Sequence, residues 1–187
     1  IFITGNLIRA TAWTIEVRDV SGVTISDNQL YNTTGIYDTV RIEYITRRVA
    51  NIIIDNNTIY NQDYACVAIF NEFGTSSQME YITISNNKLY GYSNTNERSC
   101  GVWSSRAMRH IAVKDNVISN SYYGVLMASD AAYAYIYGNK INDCEYGINS
   151  NGPAVAAFNL LYSCTVGVRL PNEDAASINN VVNKVLA

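Results

Sequence analysis

Eight asparagines recur inside nearly the same short phrase, and this repeat constrains the fold more than any other feature of the chain. In each phrase two apolar residues stand two positions apart, turn residues and the asparagine follow, and another apolar residue comes two positions later. Because one repeat cannot bury its apolar side chains alone, the pattern predicts a solenoid of stacked coils. The eight asparagines are Asn6, Asn28, Asn57, Asn87, Asn116, Asn139, Asn159 and Asn180.

The spacing of the asparagines gives successive coils of 22, 29, 30, 29, 23, 20 and 21 residues. Period-two alternation indicates one strand before each asparagine, as at Ile52 and Ile54, and a second strand after it, as at Ile59. A third strand follows a turn, as at 67–69. Three parallel strands per coil predict an all-β fold, the parallel β-helix. The asparagines then form a structural turn ladder, in which each amide bonds the coils above and below.

A glycine stands just before the third strand in four coils. Such a glycine suits either a turn with positive φ or a close approach of two backbones, and the sequence leaves both explanations open. The four residues are Gly101, Gly124, Gly147 and Gly167.

Composition argues against several classes of function. The net charge is −3 and the basic residues are not clustered, so we expect no nucleic-acid partner. No apolar run approaches the roughly 20 residues of a membrane helix, so we expect no membrane partner. The chain has one histidine, His110, and no pair of cysteines separated by two residues. We therefore expect no metal and no cofactor. His110 precedes a core strand, so we expect a structural role for it.

We interpret residues 1–187 as one parallel β-helix domain of about eight coils. The chain opens inside a strand pattern at Ile1 and stops inside a repeat just after Val182. Open ends of a β-solenoid expose unpaired strand edges, so we expect both ends to be incomplete and to continue into a longer solenoid. Cys144 and Cys164 each lie five residues after a ladder asparagine. They should stack in adjacent coils, as two buried thiols or as a disulfide.

This pattern resembles the right-handed parallel β-helix superfamily, the pectin-lyase-like fold with its turn ladder of asparagines, over essentially the whole chain. The superfamily includes polysaccharide lyases, polygalacturonases, epimerases and bacteriophage tailspikes, and one fold hosts many chemistries. The short motifs of the calcium-dependent pectate lyases, the polygalacturonases and the alginate epimerases are absent here. The chain is therefore most similar to tailspikes and related polysaccharide-processing members.

The resemblance implies that a glycan lies along the outer face of the third strand. Long insertions fall beside this strand in coils two to four, at 44–51, 71–80 and 91–99. Loops on a rigid scaffold are where binding groups concentrate, so these three segments should wall a groove.

Outward positions on the third strands supply the predicted substrate-binding residues. Trp103 and Phe70 suit stacking on pyranose rings, and Arg41 suits an acidic sugar or sugar hydroxyls. Asp130 lies beyond the strand of a later coil and is a further candidate. Trp103 also has a structural interpretation, in which the indole packs beneath the 91–99 loop.

Glu43 and Glu72 form the predicted catalytic pair. They stand on adjacent coils with an offset of two residues, which separates their backbones by about 8 Å. Inverting glycosidases hold their two carboxyl groups roughly 6.5–9.5 Å apart, one as acid and one as base. Because the reach of the side chains changes this spacing, a retaining arrangement stays open as well. For Glu43 the residues favour a structural interpretation over the catalytic one. In the structural interpretation, Glu16 pairs with Arg41 and Arg18 pairs with Glu43 across neighbouring strands.

Two hypotheses from different classes follow. The first is an endo-acting polysaccharide depolymerase, a hydrolase in preference to a lyase, placed outside the cell or on a phage virion as in a tailspike. The second is a non-catalytic structural or glycan-binding β-helix segment of a virion or cell-surface protein. A column formed by Tyr31, Tyr60 and Tyr90 is either a stacked surface ladder or a contact between the subunits of a homotrimer.

Overall fold

A computed structural model of the chain describes residues 1–34, 36–71, 78–106, 108–127, 131–171 and 176–183. These residues form short strands joined by turns, and no helix among them is long and apolar enough to cross a membrane. The strands are β1 (Phe2–Thr4), β2 (Leu7–Ala10), β3 (Ile15–Arg18), β4 (Val23–Ser26), β5 (Gln29–Asn32), β6 (Val40–Tyr44), β7 (Val49–Asp55), β8 (Thr58–Tyr60), β9 (Ala65–Asn71), β10 (Met79–Ser85), β11 (Lys88–Tyr90), β12 (Cys100–Ser104), β13 (Met108–Lys114), β14 (Val117–Ser119), β15 (Tyr123–Met127), β16 (Ala131–Tyr137), β17 (Lys140–Asn142), β18 (Tyr146–Ser150), β19 (Ala154–Ala157), β20 (Leu160–Tyr162), β21 (Val166–Arg169), β22 (Ala176–Ile178) and β23 (Val181–Asn183).

Every third strand joins the same sheet, which gives three parallel sheets. Sheet A holds the strands that precede the ladder asparagines and runs β1-β4-β7-β10-β13-β16-β19-β22. Sheet B holds the strands that follow the asparagines and runs β2-β5-β8-β11-β14-β17-β20-β23. Sheet C holds the third strands and runs β3-β6-β9-β12-β15-β18-β21. The prediction of an all-β solenoid with three parallel strands per coil is confirmed.

The core is a set of stacked aliphatic columns inside the coil. Ile25, Ile54 and Ile84 are register partners on adjacent strands of sheet A, and each is fully buried. The column ends in smaller side chains, with Ile136 paired to Ala156. Fully burying an isoleucine side chain contributes about 1.5–3 kcal/mol, so these columns supply the main drive for stacking.

The asparagine ladder forms as predicted. The side-chain amide of Asn87 donates to the carbonyls of Ile54 and Ser85, at 2.9 and 2.7 Å, and to the Oδ1 atom of Asn116 at 3.0 Å. The backbone N–H of Asn87 also donates to that Oδ1 atom, at 2.9 Å. Equivalent bonds link the asparagines from Asn6 to Asn180, so the ladder satisfies turn groups that the coil would otherwise bury without partners.

The four glycines are the second residues of β12, β15, β18 and β21, and not residues before these strands. Close packing explains them, because none of the four has a positive φ. A Cβ atom on Gly124 would lie 2.4 Å from the carbonyl oxygen of Gly147 and 2.5 Å from Cγ2 of Ile141. Sheet B thus packs directly on the start of these four sheet C strands.

Candidate functional site

The outer face of sheet C has the registers that the sequence predicts. Arg41 pairs with Ala68, Ala68 pairs with Trp103, and Trp103 pairs with Leu126. One column over, Glu43 pairs with Phe70 on the next coil. These columns bring the predicted residues Arg41, Glu43, Phe70 and Trp103 onto one face.

A groove lies over Trp103. It is a concavity of about 400 Å³, and we call it the Trp103 groove. The exposed residues Glu97 and Arg98 form part of its wall, as expected for the 91–99 loop. Arg98 is held over Tyr64, because its Nη1 atom donates to the tyrosine hydroxyl at 2.8 Å. The lining consists of Tyr64, Glu97, Arg98, Cys100, Trp103 and Leu126.

Trp103 is partly packed and partly exposed, and its packing beneath the 91–99 loop stays a prediction. Its indole packs on an outer cluster formed by Ala65, Ala68 and Cys100, yet the residue stays partly exposed. Phe70 lies beside it, with ring centres 5.9 Å apart and planes inclined by 50°. The cluster fixes one side of the indole, and the other side lines the groove.

Arg41 is enclosed by two carboxylates and an aromatic ring. Its Nη1 atom donates to Oδ2 of Asp38 at 3.1 Å, and its Nη2 atom donates to Oε1 of Glu43 at 2.7 Å. The guanidinium carbon lies 4.2 Å from the centre of the Phe70 ring and 5.6 Å from that of Trp13. Arg41 therefore fixes the position of Phe70 through a cation–π contact.

Glu43 is 4% exposed, and both of its oxygens accept hydrogen bonds. Arg18 donates to Oε2 at 2.8 Å, which confirms the predicted Arg18–Glu43 pair. The predicted Glu16–Arg41 pair is wrong. Glu16 instead bonds Arg18 of its own strand at 2.6 Å, because Asp38 and Glu43 already occupy Arg41.

These bonds decide the charge of Glu43. Burial alone raises the pKa of the Glu43 carboxyl, but hydrogen bonds from Arg41 and Arg18 outweigh burial and lower it. Glu43 is therefore an ionised carboxylate near neutral pH, which suits a base and not an acid.

Asp38 is a site residue that sequence reasoning missed. It is 2% exposed, and burial raises its pKa despite the opposing charge of Arg41. Among the described residues its Oδ1 atom has no hydrogen-bond partner, and neither does Nε of Arg41. Asp38 stands in the turn before β6, where coil length varies, so only its spacing of three residues before Arg41 could have indicated it.

Comparison with known proteins identifies the fold family. The family model described as "Right handed beta helix region" matches residues 1–152. This chain belongs to the right-handed β-helix family. No curated protein and no solved structure matches it. The family match and the three parallel sheets make the chain an all-β right-handed parallel β-helix, as predicted.

Two predicted site residues of this β-helix, Glu72 and Asp130, lie outside the described residues. Within the described ranges, no group of three or more histidine, cysteine or acidic side chains is arranged to hold a metal ion. Cys144 and Cys164 are buried free thiols in adjacent coils, and the neighbouring Cys164 thiol together with burial raises the pKa of the Cys144 thiol.

The tyrosine column also forms in this β-helix. Tyr31 and Tyr60 stack with ring centres 4.7 Å apart, and Tyr60 and Tyr90 stack at 4.8 Å. The stacked surface ladder is therefore confirmed. The contact between subunits stays a prediction.

Proposed function

We propose that this β-helix binds a polysaccharide along the outer face of sheet C, with the Trp103 groove as its central site. The observation that carries the proposal is a partly exposed indole in a concavity of about 400 Å³, beside exposed acidic and basic side chains. A sugar ring buries its C–H face on an aromatic ring, and polar neighbours fix the orientation of its hydroxyls. Arg98 and Glu97 supply those polar groups.

A polymer fits this face better than a single sugar does. Phe70, Trp103 and Leu126 stand on successive coils, which are about 4.8 Å apart, so the apolar surface continues along the solenoid axis. In this proposal Arg41 acts by holding Phe70. Each of its terminal nitrogens already donates to a carboxylate, and only 15% of the side chain is exposed, which leaves it little access to a sugar.

Cleavage of the bound glycan is the second candidate function. It is favoured by the position of Glu43, which pairs in register with Phe70 at the edge of the aromatic surface. We propose that the ionised Glu43 would activate water and that Glu72 would protonate the leaving oxygen. For this, either Arg18 or Arg41 would release its hydrogen bond to Glu43, so that one carboxylate oxygen could bond the water. Location on a virion or outside the cell, and trimer formation through Tyr31, Tyr60 and Tyr90, belong to this proposal.

The test is a panel of capsular, O-antigen and pectic glycans, with binding measured by calorimetry and cleavage by new reducing ends and by ultraviolet absorbance of unsaturated products. We expect Trp103→Ala to weaken binding at least tenfold, because the loss of an aromatic contact worth about 1.5–3 kcal/mol lowers affinity by that factor. The matched control is Tyr92→Ala, which removes an exposed ring outside the groove.

The outcomes separate the two candidates. Binding without new reducing ends supports a binding segment alone. Reducing ends that disappear in Glu43→Gln support the hydrolase, and absorbance at the same time would indicate a lyase. Binding that is equal in wild type and Trp103→Ala would contradict the proposed groove.

A further inference from the structure

Three aromatic rings stack at one edge of sheet A, on the side of the coil where its strands begin. Tyr81 and His110 have ring centres 4.9 Å apart and planes inclined by 2°. His110 and Tyr133 follow at 5.6 Å and 12°. We call these three residues the aromatic ladder. They face solvent, with Tyr81 50% and Tyr133 58% exposed, so their stacking is not required to fill the core.

The backbone under the aromatic ladder is unusual. Tyr81, His110 and Tyr133 have φ values of +56°, +55° and +59°, a left-handed conformation that bulky side chains rarely adopt. The equivalent positions in two earlier coils hold Gly22 and Asn51, residue types that adopt it readily. Three consecutive coils therefore keep an aromatic residue where the backbone favours glycine or asparagine. Unfavourable conformations that persist in this way are concentrated at functional sites.

The ladder ends at an open pocket. Ala134 pairs with Ala154 on the next coil. Pro153 therefore holds, on that coil, the position that is equivalent to Tyr133. A concavity of about 530 Å³ opens there, lined by the side chains of Arg109, Tyr133, Tyr135, Pro153 and Val155. We call it the Tyr133 pocket. Its apolar lining is aromatic and aliphatic, and among the residues that the structure describes Arg109 is the one charged residue that lines it.

Arg109 is available to a ligand. It is exposed, and it forms no ion pair with any residue that the structure describes. A guanidinium beside a stacking surface suits a ligand that carries both a ring with an apolar face and a negative charge. The pocket belongs to sheet A, whereas the Trp103 groove belongs to sheet C.

We propose that the Tyr133 pocket is a second carbohydrate site, which takes an anionic sugar residue. The C–H face of the sugar continues the aromatic ladder beyond Tyr133, packed against Tyr135 and Pro153, and its carboxylate or sulfate bonds Arg109. This site does not depend on the Trp103 groove. If both bind one chain, the two sites on a single rigid solenoid raise its avidity.

The first experiment titrates ¹⁵N-labelled protein carrying Trp103→Ala, which removes the other site. The probes are an oligomer of galacturonic acid, a sulfated oligosaccharide of similar length and a neutral oligomer of glucose. We expect saturable shifts of the amide signals at 133–136 and 154–156. The neutral oligomer should bind at least tenfold more weakly than the tighter-binding anionic oligomer. Whichever anionic oligomer binds more tightly shows whether the site prefers a carboxylate or a sulfate. The absence of shifts in these amides with all three probes would overturn the proposal.

The second experiment uses a matched pair of variants. Tyr133→Gly removes the ring that ends the ladder, and Tyr81→Gly removes the ring at the far end. Both replace a residue of positive φ by glycine, so both should fold, with melting temperatures no lower than that of the parent protein. We expect Tyr133→Gly and Arg109→Gln to weaken the anionic probe at least tenfold and Tyr81→Gly to leave its affinity within twofold. Equal affinity in Tyr133→Gly and Tyr81→Gly would show that the pocket is not the site.

Discussion

The residue immediately before each ladder asparagine has a left-handed backbone conformation. The type of residue at this position determines how much free energy that conformation costs. Glycine, asparagine and aspartate adopt this conformation most readily. The residues with positive φ at this place are Gly5, Asp27, Asn56, Asn86, Asp115, Gly138, Phe158 and Asn179. Phe158 is the exception to this chemistry. Its φ is +55° and its ring is 64% exposed, so no packing of the ring offsets the strain.

We predict that Phe158→Asn raises the free energy of unfolding by about 1 kcal/mol, because a left-handed conformation costs an ordinary residue about 1–2 kcal/mol and asparagine less. Urea denaturation measures the change. Phe158→Ala is the matched control, since alanine loses the exposed ring but keeps the backbone cost. A gain from alanine as large as that from asparagine would mean that the ring, and not the backbone, is responsible.

Asp19 ties the first coil to the turn after β6. Its Oδ1 atom accepts hydrogen bonds from the backbone N–H groups of Ile45, Thr46 and Arg47, at 2.8, 2.9 and 3.1 Å. Burial raises the pKa of the carboxyl and is the largest single influence on it, but the hydrogen bonds together outweigh burial and lower the pKa to about 2. Because the folded pKa lies below the unfolded value of 3.8, the contribution to stability is fully present above pH 3.8 and is lost as the pH falls toward 2.

We predict that Asp19→Asn lowers the free energy of unfolding by about 1 kcal/mol at pH 7 and has little effect near pH 2. Asparagine keeps an oxygen acceptor and tolerates the positive φ of this position, so the variant removes chiefly the charge. Thermal melting at pH 7, 4 and 2 gives the comparison. A difference between the two proteins that is as large at pH 2 as at pH 7 would contradict the assignment.

At the scale of strands and turns, close approach explains the glycine column. We predict that Gly124→Ala destabilises the protein by about 2 kcal/mol or more, because the new methyl group meets backbone that cannot move without separating two coils. Alanine at Gly5 is the matched control. A Cβ atom there has nothing within 4 Å, so only its φ of +70° opposes the change. Urea denaturation that shows Gly124→Ala to be no worse than Gly5→Ala would rule out the steric explanation.

The strands and their registers were predictable because the sequence has two periods, the two-residue alternation within a strand and the spacing of the ladder asparagines. Alternation sets which side chains point inward, and the spacing of the asparagines sets which residues stack. Arg41, Ala68 and Trp103 therefore align on the outer face of sheet C as the sequence indicates. Asp38 was missed because it stands in a turn, where coil length varies and neither period applies.

The aromatic ladder was missed for a different reason. Tyr81 lies between Glu80 and the core residue Ile82 and has a positive φ. This local twist interrupts the two-residue alternation and turns the side chain out of the strand pattern. His110 was predicted to be structural from its position before a core strand, and nothing in that pattern indicated that it stacks with Tyr81.

At the scale of the whole molecule, the stacking of coils places residues that are far apart in the sequence next to one another. Residues of three coils meet at the Trp103 groove, and residues of coils that follow one another meet at the Tyr133 pocket. The core columns and the asparagine ladder hold each coil to its neighbours, so both surfaces are preorganised. The binding of a polymer therefore requires little further ordering of the protein, and the entropic cost of binding is small.

The most direct test of glycan binding on sheet C uses tryptophan fluorescence. The chain has two tryptophans, Trp13 and Trp103, so Trp13→Phe leaves one emitter in the proposed groove. The titrant is whichever glycan of the panel binds by calorimetry. We predict that it shifts or quenches the emission of Trp103 with the same Kd. Binding by calorimetry with unchanged Trp103 emission would contradict the account.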